Sequence, residues 1–171
     1  MPTPASPHPA NPQPETPNPA KPPVTAPAIA TIGYEGTTID AVLTTLRNAR
    51  VALLIDVRAV PQSRKPGFSK RQLAAALDEA GIAYVHLQAL GTPKAGRDAV
   101  RAGHPDRMEV IFREHMAADR PQAELAQAKQ LTRERHACLL CFERDHNTCH
   151  RSLVAEMIAT ETGQPIDHLA V

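Results

Sequence analysis

Near the end of the chain, the eleven residues Cys141-Phe142-Glu143-Arg144-Asp145-His146-Asn147-Thr148-Cys149-His150-Arg151 bring together two thiols, two carboxylates, two imidazoles and two guanidiniums. If Cys149, His150 and Arg151 fall in the first turn of a helix, the helix dipole and Arg151 lower the pKa of Cys149, the candidate reactive thiolate. His150 would shuttle protons, Arg151 would clamp an oxyanion or phosphate, and Glu143 would orient either of them. The plainer reading pairs Glu143 with Arg151 across a loop and leaves the cysteines as packing. Upstream, Asp56 and Arg58 share one face of an extended backbone. They suit a buried ion pair that anchors a turn, or an acid and a cation aimed at a ligand. Arg58, Arg64, Lys65, Lys70 and Arg71 follow with no acid before Asp78. Where this run meets a helix N-terminus at Ser69, a phosphate or nucleic-acid backbone finds both charge and free N–H groups. A solvated charged face is the alternative.

Two further readings of the cysteines are weaker. Cys138, Cys141, Cys149 and His150 would make a C-x2-C-x7-C-H zinc set. Strand alternation opposes it, because residues three apart point to opposite sides of a sheet. Cys138 to Arg144 also satisfies C-x5-R, the anion-loop spacing of cysteine phosphatases and rhodanese-type sulfurtransferases, and Leu54-Ile55-Asp56-Val57-Arg58 looks like a rhodanese strand. That chemistry needs a loop whose N–H groups cradle an anion. Leu-Leu-Cys-Phe-Glu reads as a strand without glycine. No metal or other cofactor is therefore expected. Gly33-Tyr34-Glu35-Gly36 is a weak phosphate-loop cue in which Glu35 repels phosphate, so Tyr34 and Glu35 are read as suppliers of a hydroxyl and a carboxylate or hydrogen bond. Leu90-Gly91-Thr92-Pro93-Lys94 reads as a loop folded over the site, with Lys94 and Arg97 adding charge; His86 reads as a satisfied strand residue.

Apolar runs place these residues. Ala28–Gly33, Val51–Val57, Ala83–Leu87, Ala137–Phe142 and a weaker Ile166–Leu169 are expected strands; the second and fourth are almost continuously apolar, as central strands are. Helical spacing appears at Ile39, Val42, Leu43 and Leu46 behind a Thr37 cap, and at Leu73, Ala76, Leu77 and Ala80 behind a Ser69–Gln72 capping box. Further helices are expected after Asp106, from Pro121, and from a Thr148 cap to a stop at Gly163. The alternation predicts an α/β fold: a mostly parallel sheet of about five strands with helices on both faces. In such sheets ligands bind beyond the carboxyl ends of the strands, where the polar residues above collect.

Composition bounds the function. Eleven of the 17 prolines precede Ile29, and residues 1–28 contain one Val, no Leu or Ile and no aromatic residue. Such a segment cannot offset roughly 1–2 kcal/mol of backbone entropy per ordered residue, so it is expected to be a disordered Pro-rich leader. Residues 29–171 are expected to form a single domain. The formal charge of +1 argues against a generic polyanion-coating protein, and five aromatics with no Trp argue against a base-stacking single-strand platform. No apolar run is long enough to span a bilayer. Three cysteines suit a reducing cytoplasm better than a disulfide framework.

Taken together, Thr31-Ile32-Gly33-Tyr34-Glu35-Gly36, Asp56-Val57-Arg58 with Pro61, Ser63-Arg64 and Phe68, Gly81-Ile82-Ala83-Tyr84, Leu90-Gly91, Cys141-x-Glu143 and Cys149-His150-Arg151 resemble the bacterial and archaeal domain-of-unknown-function family 488 (DUF 488). The resemblance implies an α/β domain with a site built from Asp56, Arg58, Ser63, Arg64, Glu143, Cys149, His150 and Arg151, and no settled activity. The leading expectation is a phosphate-bearing ligand, a nucleotide or nucleic acid, with no membrane partner. Tyr34, Glu35, Arg58, Ser63, Arg64 and Arg151 would hold it, and Asp56, Glu143, Cys149 and His150 would supply hydrolytic or transfer chemistry. A non-catalytic module with a structural polar network, and thiol chemistry at Cys149, stand beside it.

Overall fold

The structure, a computed structural model, describes residues 26–171. The expected leader, residues 1–28, lies almost wholly outside them. The chain runs β1 (Ile29–Gly33), α1 (Ile39–Asn48), β2 (Leu53–Asp56), α2 (Lys70–Glu79), β3 (Ala83–His86), α3 (Lys94–Arg101), α4 (Pro105–Met116), α5 (Asp119–Glu134), β4 (Ala137–Cys141), α6 (His150–Thr162) and β5 (Ile166–Leu169). All strand pairs are parallel, in the order β3-β2-β4-β1-β5. This is the expected α/β sheet, with every pairing parallel.

Strand alternation sorts the apolar side chains into two layers. Ala30, Ile32, Leu54, Cys138 and Leu140 face α1 and α2, which contribute Val42, Leu46, Leu73 and Leu77. Ile29, Leu53, Ile55, Ala137 and Leu139 face α4, α5 and α6, which contribute Phe112, Leu125, Val154 and Ile158. β1, β2 and β4 are buried along their whole length, while β3 and β5 are half-buried edges. Among the described residues no helix is long and apolar enough to cross a membrane.

Several element starts differ from expectation for local reasons. Thr37 spends its N–H on the Tyr34 carbonyl in a turn, so α1 is capped by Thr38, whose Oγ1 accepts from Ala41 N. Ser69 precedes α2 without capping it. Its hydroxyl accepts from Ser63 N and donates to Ser63 O, while Gln72 accepts from Gly67 N. Residues 146–148 form a separate 3-10 turn, which moves the start of α6 onto Cys149. The expected loop at Lys94 is the start of α3, a short helix whose apolar stripe is made of small residues, Gly96 and Ala99 with Val100, packed on the core. Exposed Lys94–Asp98 and Arg101–Asp98 pairs run along it, and Gly96 lets its backbone close on Thr92 and Met108.

The insertion of β4 between β1 and β2 is what builds a site. It brings three carboxyl ends side by side, with Gly33 opposite Cys141 and Asp56 opposite Leu140. Beyond the strands the pairing continues, Tyr34 and Glu35 donating to the Cys141 and Phe142 carbonyls. The approach is so close that a Cβ on Gly33 would lie 1.8 Å from the Glu143 carbonyl oxygen. Gly33→Ala must therefore push away a backbone that has little room to yield. The expected cost is about 1–3 kcal/mol in urea denaturation, with faster amide exchange in the segment after Phe142; unchanged stability would show that this segment is free to move.

Candidate functional site

Two polar groups occupy the carboxyl edge of the sheet, one on each side. The first is centred on Asp56, which shares the parity of Leu54 and lies under α1 and α2. Its carboxylate is fully buried and accepts four hydrogen bonds: from Arg58 N, Arg58 Nε at 2.8 Å, Arg58 Nη2 at 2.7 Å and Tyr84 Oη at 2.8 Å. Those four use the acceptor capacity of a carboxylate. Arg58 Nη1 donates in turn to Tyr34 Oη and the Phe68 carbonyl, both at 2.9 Å. Tyr34 stacks on Phe68 with centroids 4.1 Å apart. Burial opposes the Arg58 charge, but the hydrogen bonds and charge of Asp56 more than compensate and raise its pKa. Burial, with the Asp56 charge behind it, pushes the Tyr84 hydroxyl up, so it stays protonated and donating.

The second group lies on the opposite side, between β4 and α6. Cys141 ends β4, Glu143 follows two residues later, Cys149 caps α6 and His150 is its first residue. The Glu143 carboxylate, through Oε2, accepts from the Cys141 thiol at 3.0 Å and the Cys149 thiol at 3.1 Å. His150 Nδ1 is 3.7 Å from Cys141 Sγ, and its Nε2 is 2.9 Å from the Val57 carbonyl. A carbonyl only accepts, so the proton sits on Nε2. Burial and the neighbouring Cys149 raise the pKa of Glu143. A hydrogen bond to Cys149, then burial, pushes the Cys141 thiol well up. Burial alone would do the same to Cys149, but hydrogen bonds from Cys141 and His150 and the charges of His150 and Arg151 carry it well below the usual thiol range. Burial would lower His150, yet the bond to Cys149 and its negative charge win and raise it.

Arg151 stands behind this group. It is 1% exposed. Its Nε donates to Thr31 Oγ1, and its two terminal nitrogens donate to the Glu143 and Arg144 carbonyls. The simple Glu143–Arg151 side-chain pair does not form; the guanidinium holds the backbone of Glu143.

Tyr34, Glu35, Arg58, Ser63, Arg64, Glu143 and His150, seven of the residues singled out from sequence, line one cleft of about 790 Å³ at this edge. Asp56 and Arg151 are buried behind its wall, and Cys149 faces a neighbouring cleft of about 500 Å³ beside His146 and Thr148. Within the cleft Glu35 latches the loop, accepting from Arg144 N at 3.1 Å, and the Ser63 hydroxyl accepts from Lys65 N at 3.1 Å. Arg64 is exposed and has no hydrogen-bond or ion-pair partner among the described residues. Lys65 donates to the Tyr34 and Thr37 carbonyls.

Sequence reasoning named Lys65 only within the basic run, gave Cys141 no role beyond the rejected zinc set, and missed Arg101. Cys141 was recoverable, because Cys141 and Glu143 are two apart in extended backbone and so share a face. Arg101 was hidden because α3 is short and packs only the small residues Gly96 and Ala99 with Val100, so its segment reads as a loop. His86 is the satisfied strand residue expected, its Nε2 on the Arg58 carbonyl at 2.8 Å.

The Asp56–Arg58 pair yields a direct test. Asp56→Asn leaves a buried guanidinium without its counter-charge and should cost about 3–5 kcal/mol in urea denaturation. Arg58→Met in the same chain should recover part of that loss. A double variant as unstable as the sum of the single variants would mean the two residues act independently.

Among protein-family models, the one described as "Domain of unknown function DUF488" matches residues 38–158, most of the chain. That span starts just after the Thr31–Gly36 motif and ends within α6. No curated protein and no solved structure matches the chain. With the matched segment running from the cap of α1 through both polar groups, the chain belongs to the DUF488 family.

Proposed function

We propose that the protein binds a phosphate-bearing ligand, a nucleotide or a nucleic-acid segment, in the cleft at the carboxyl edge of its sheet. Glu143 and His150, which line that cleft, would supply hydrolytic or transfer chemistry, with Cys149 beside them on the adjoining cleft. The observation that supports this reading is the lining: Arg58, Arg64, Lys65, Arg97 and Arg101 against only two carboxylates, Glu35 and Glu143. Since Asp56 neutralises Arg58, the cations left to meet a ligand are on the outer wall. Exposed Arg64, with no hydrogen-bond or ion-pair partner among the described residues, is the first of these. Phosphate oxygens suit such guanidinium forks. Phe142 and Val60 line the same cleft and are 42% and 49% exposed, offering an apolar face to a base or sugar beside the charged wall. In this reading Asp56, Arg58 and Arg151 are positioning residues, each closed on protein partners.

Thiol chemistry at Cys149 is a second reading, favoured by its place at the N-terminus of α6 beside His150. The positive end of the helix and an imidazolium both favour a thiolate there.

Nucleoside mono-, di- and triphosphates and short oligonucleotides should raise the melting temperature of the full chain, and at least one should do so in proportion to its concentration. Loss of one charged contact at Arg64→Ala should weaken that ligand by about tenfold, with the fold intact by circular dichroism. A panel that leaves the melting temperature unchanged, or an Arg64→Ala chain that binds as tightly as the parent, would refute the cleft reading. Full turnover in Cys149→Ser would eliminate the thiol mechanism.

A further inference from the structure

We propose that Cys141, Glu143, Cys149 and His150 form a zinc-class metal site at the floor of the cleft. The four side chains each offer one ligand atom, and those atoms all lie within 4.8 Å of one another. The measured edges include 3.0 Å and 3.1 Å from Glu143 Oε2 to the two sulfurs and 3.7 Å from Cys141 Sγ to His150 Nδ1. Tetrahedral zinc bonded at about 2.3 Å to sulfur and about 2.0–2.1 Å to nitrogen or oxygen has ligand–ligand edges of about 3.3–3.8 Å. Three edges of the cluster thus lie near the spacing that an ion would impose, and the remaining ones are no longer than 4.8 Å.

The histidine is prepared in the manner of metal ligands. Its Nε2 is occupied by the Val57 carbonyl, which leaves the Nδ1 lone pair facing Cys141 Sγ. The same carbonyl fixes the ring plane. Two thiolates, an imidazole and one carboxylate are a soft-to-borderline donor set, which selects zinc, or cobalt and iron as divalent ions, over magnesium and calcium. Cys141, Cys149 and His150 are buried while Glu143 is half-buried and faces the cleft. The carboxylate is thus the ligand that an incoming oxygen can displace. If the cleft takes a phosphate-bearing ligand as proposed above, this position sets a Lewis acid against its oxygen; metal binding itself does not depend on that reading.

Strand geometry excludes the set based on Cys138, and the structure agrees: Cys138 is fully buried in the layer under α1 and α2. Glu143 takes the place that Cys138 could not. Cys138→Ala is accordingly a control that should not disturb the site.

The test is titration of the chelator-treated, reduced full chain with cobalt(II), in the absence of any phosphate compound. Expected are one bound equivalent, the intense ligand-field bands of a tetrahedral site, a thiolate-to-cobalt charge-transfer band, and bleaching of both by zinc. Thiol protons should be released on binding. Cys141→Ser and Cys149→Ser should each abolish or shift the charge-transfer band and weaken binding at least ~10-fold, Glu143→Gln should change the ligand-field bands, and Cys138→Ala should leave all of them as in the parent. Zinc should also protect Cys141 and Cys149 of the parent chain from alkylation, a readout that needs no variant to fold. A folded, reduced parent chain that takes up no cobalt overturns the proposal. So does a spectrum unchanged in the Cys141→Ser, Cys149→Ser double variant. Because phosphate is absent throughout, a failure here is distinct from a failure of ligand binding in the cleft.

Discussion

The guanidinium of Arg151 fixes how three neighbouring elements meet at the carboxyl edge of the sheet. It projects from the first turn of α6 into the sheet, reaches Thr31 in β1, and holds the Glu143 and Arg144 carbonyls that follow β4. Those carbonyls extend over the end of β1, where Gly33 alone leaves them room. Unpaired backbone carbonyls in such a place would cost a few kcal/mol, so the segment from Phe142 to Thr148 has one favourable course. Its course decides where the Glu143 side chain goes, and hence what the two thiols and the imidazole around it can become. The arginine that sequence spacing suggests as an anion clamp acts through the backbone instead.

A second consequence of the sheet is the separation of the two polar groups. Asp56 and Arg58 lie on the α1 and α2 side, while Cys141 and His150 lie on the side of α4 and α6. Val57, between the two, turns its side chain to the second layer and offers its carbonyl to His150. Residues at 56, 57 and 58 thus serve both sides through the two-residue period of a strand. The geometry of Asp56, with four donors on two oxygens, suits anchoring the β2 turn rather than exchanging a proton. That anchoring holds Tyr34 and the buried Phe68 in a stack, and Tyr34 lines the cleft together with Arg64 and Lys65.

Much of this was legible from residue order. The β strands and most helices follow from apolar period, and the collection of polar residues at the carboxyl edge follows from parallel topology. What was not legible has physical causes. The strand order, with β4 placed between β1 and β2, is a long-range matter that local pattern does not carry. α3 packs through Gly96, Ala99 and Val100, a stripe too short and too small to be told from a loop by apolar period. Ser69 and Thr148 have the composition of caps but spend their hydroxyls on Ser63 and on the Asp145 carbonyl, because local turns compete with capping for the same groups. At the site, alternation correctly separates Cys138 from Cys141. The same rule, applied one step further along the chain, pairs Cys141 with Glu143.

The two polar groups differ in how their burial is compensated. The Asp56–Arg58 pair is closed: opposite charges, matched fork geometry, and every remaining valence met by Tyr34, Phe68 or Tyr84. Burying such a pair needs nothing from outside. The group at Cys141, Glu143, Cys149 and His150 is open. It sets two thiols on a single carboxylate oxygen with an imidazole beside them, and its members shift one another in opposing directions: Glu143 and Cys141 are pushed toward their protonated forms, and Cys149 and His150 toward their charged forms. Stability alone would be served as well by apolar residues of the same volume, which need no such compensation. The group at the floor of the cleft is thus the part of this edge whose internal balance a change of protonation or ligation would alter, whereas its closed neighbour holds the scaffold still.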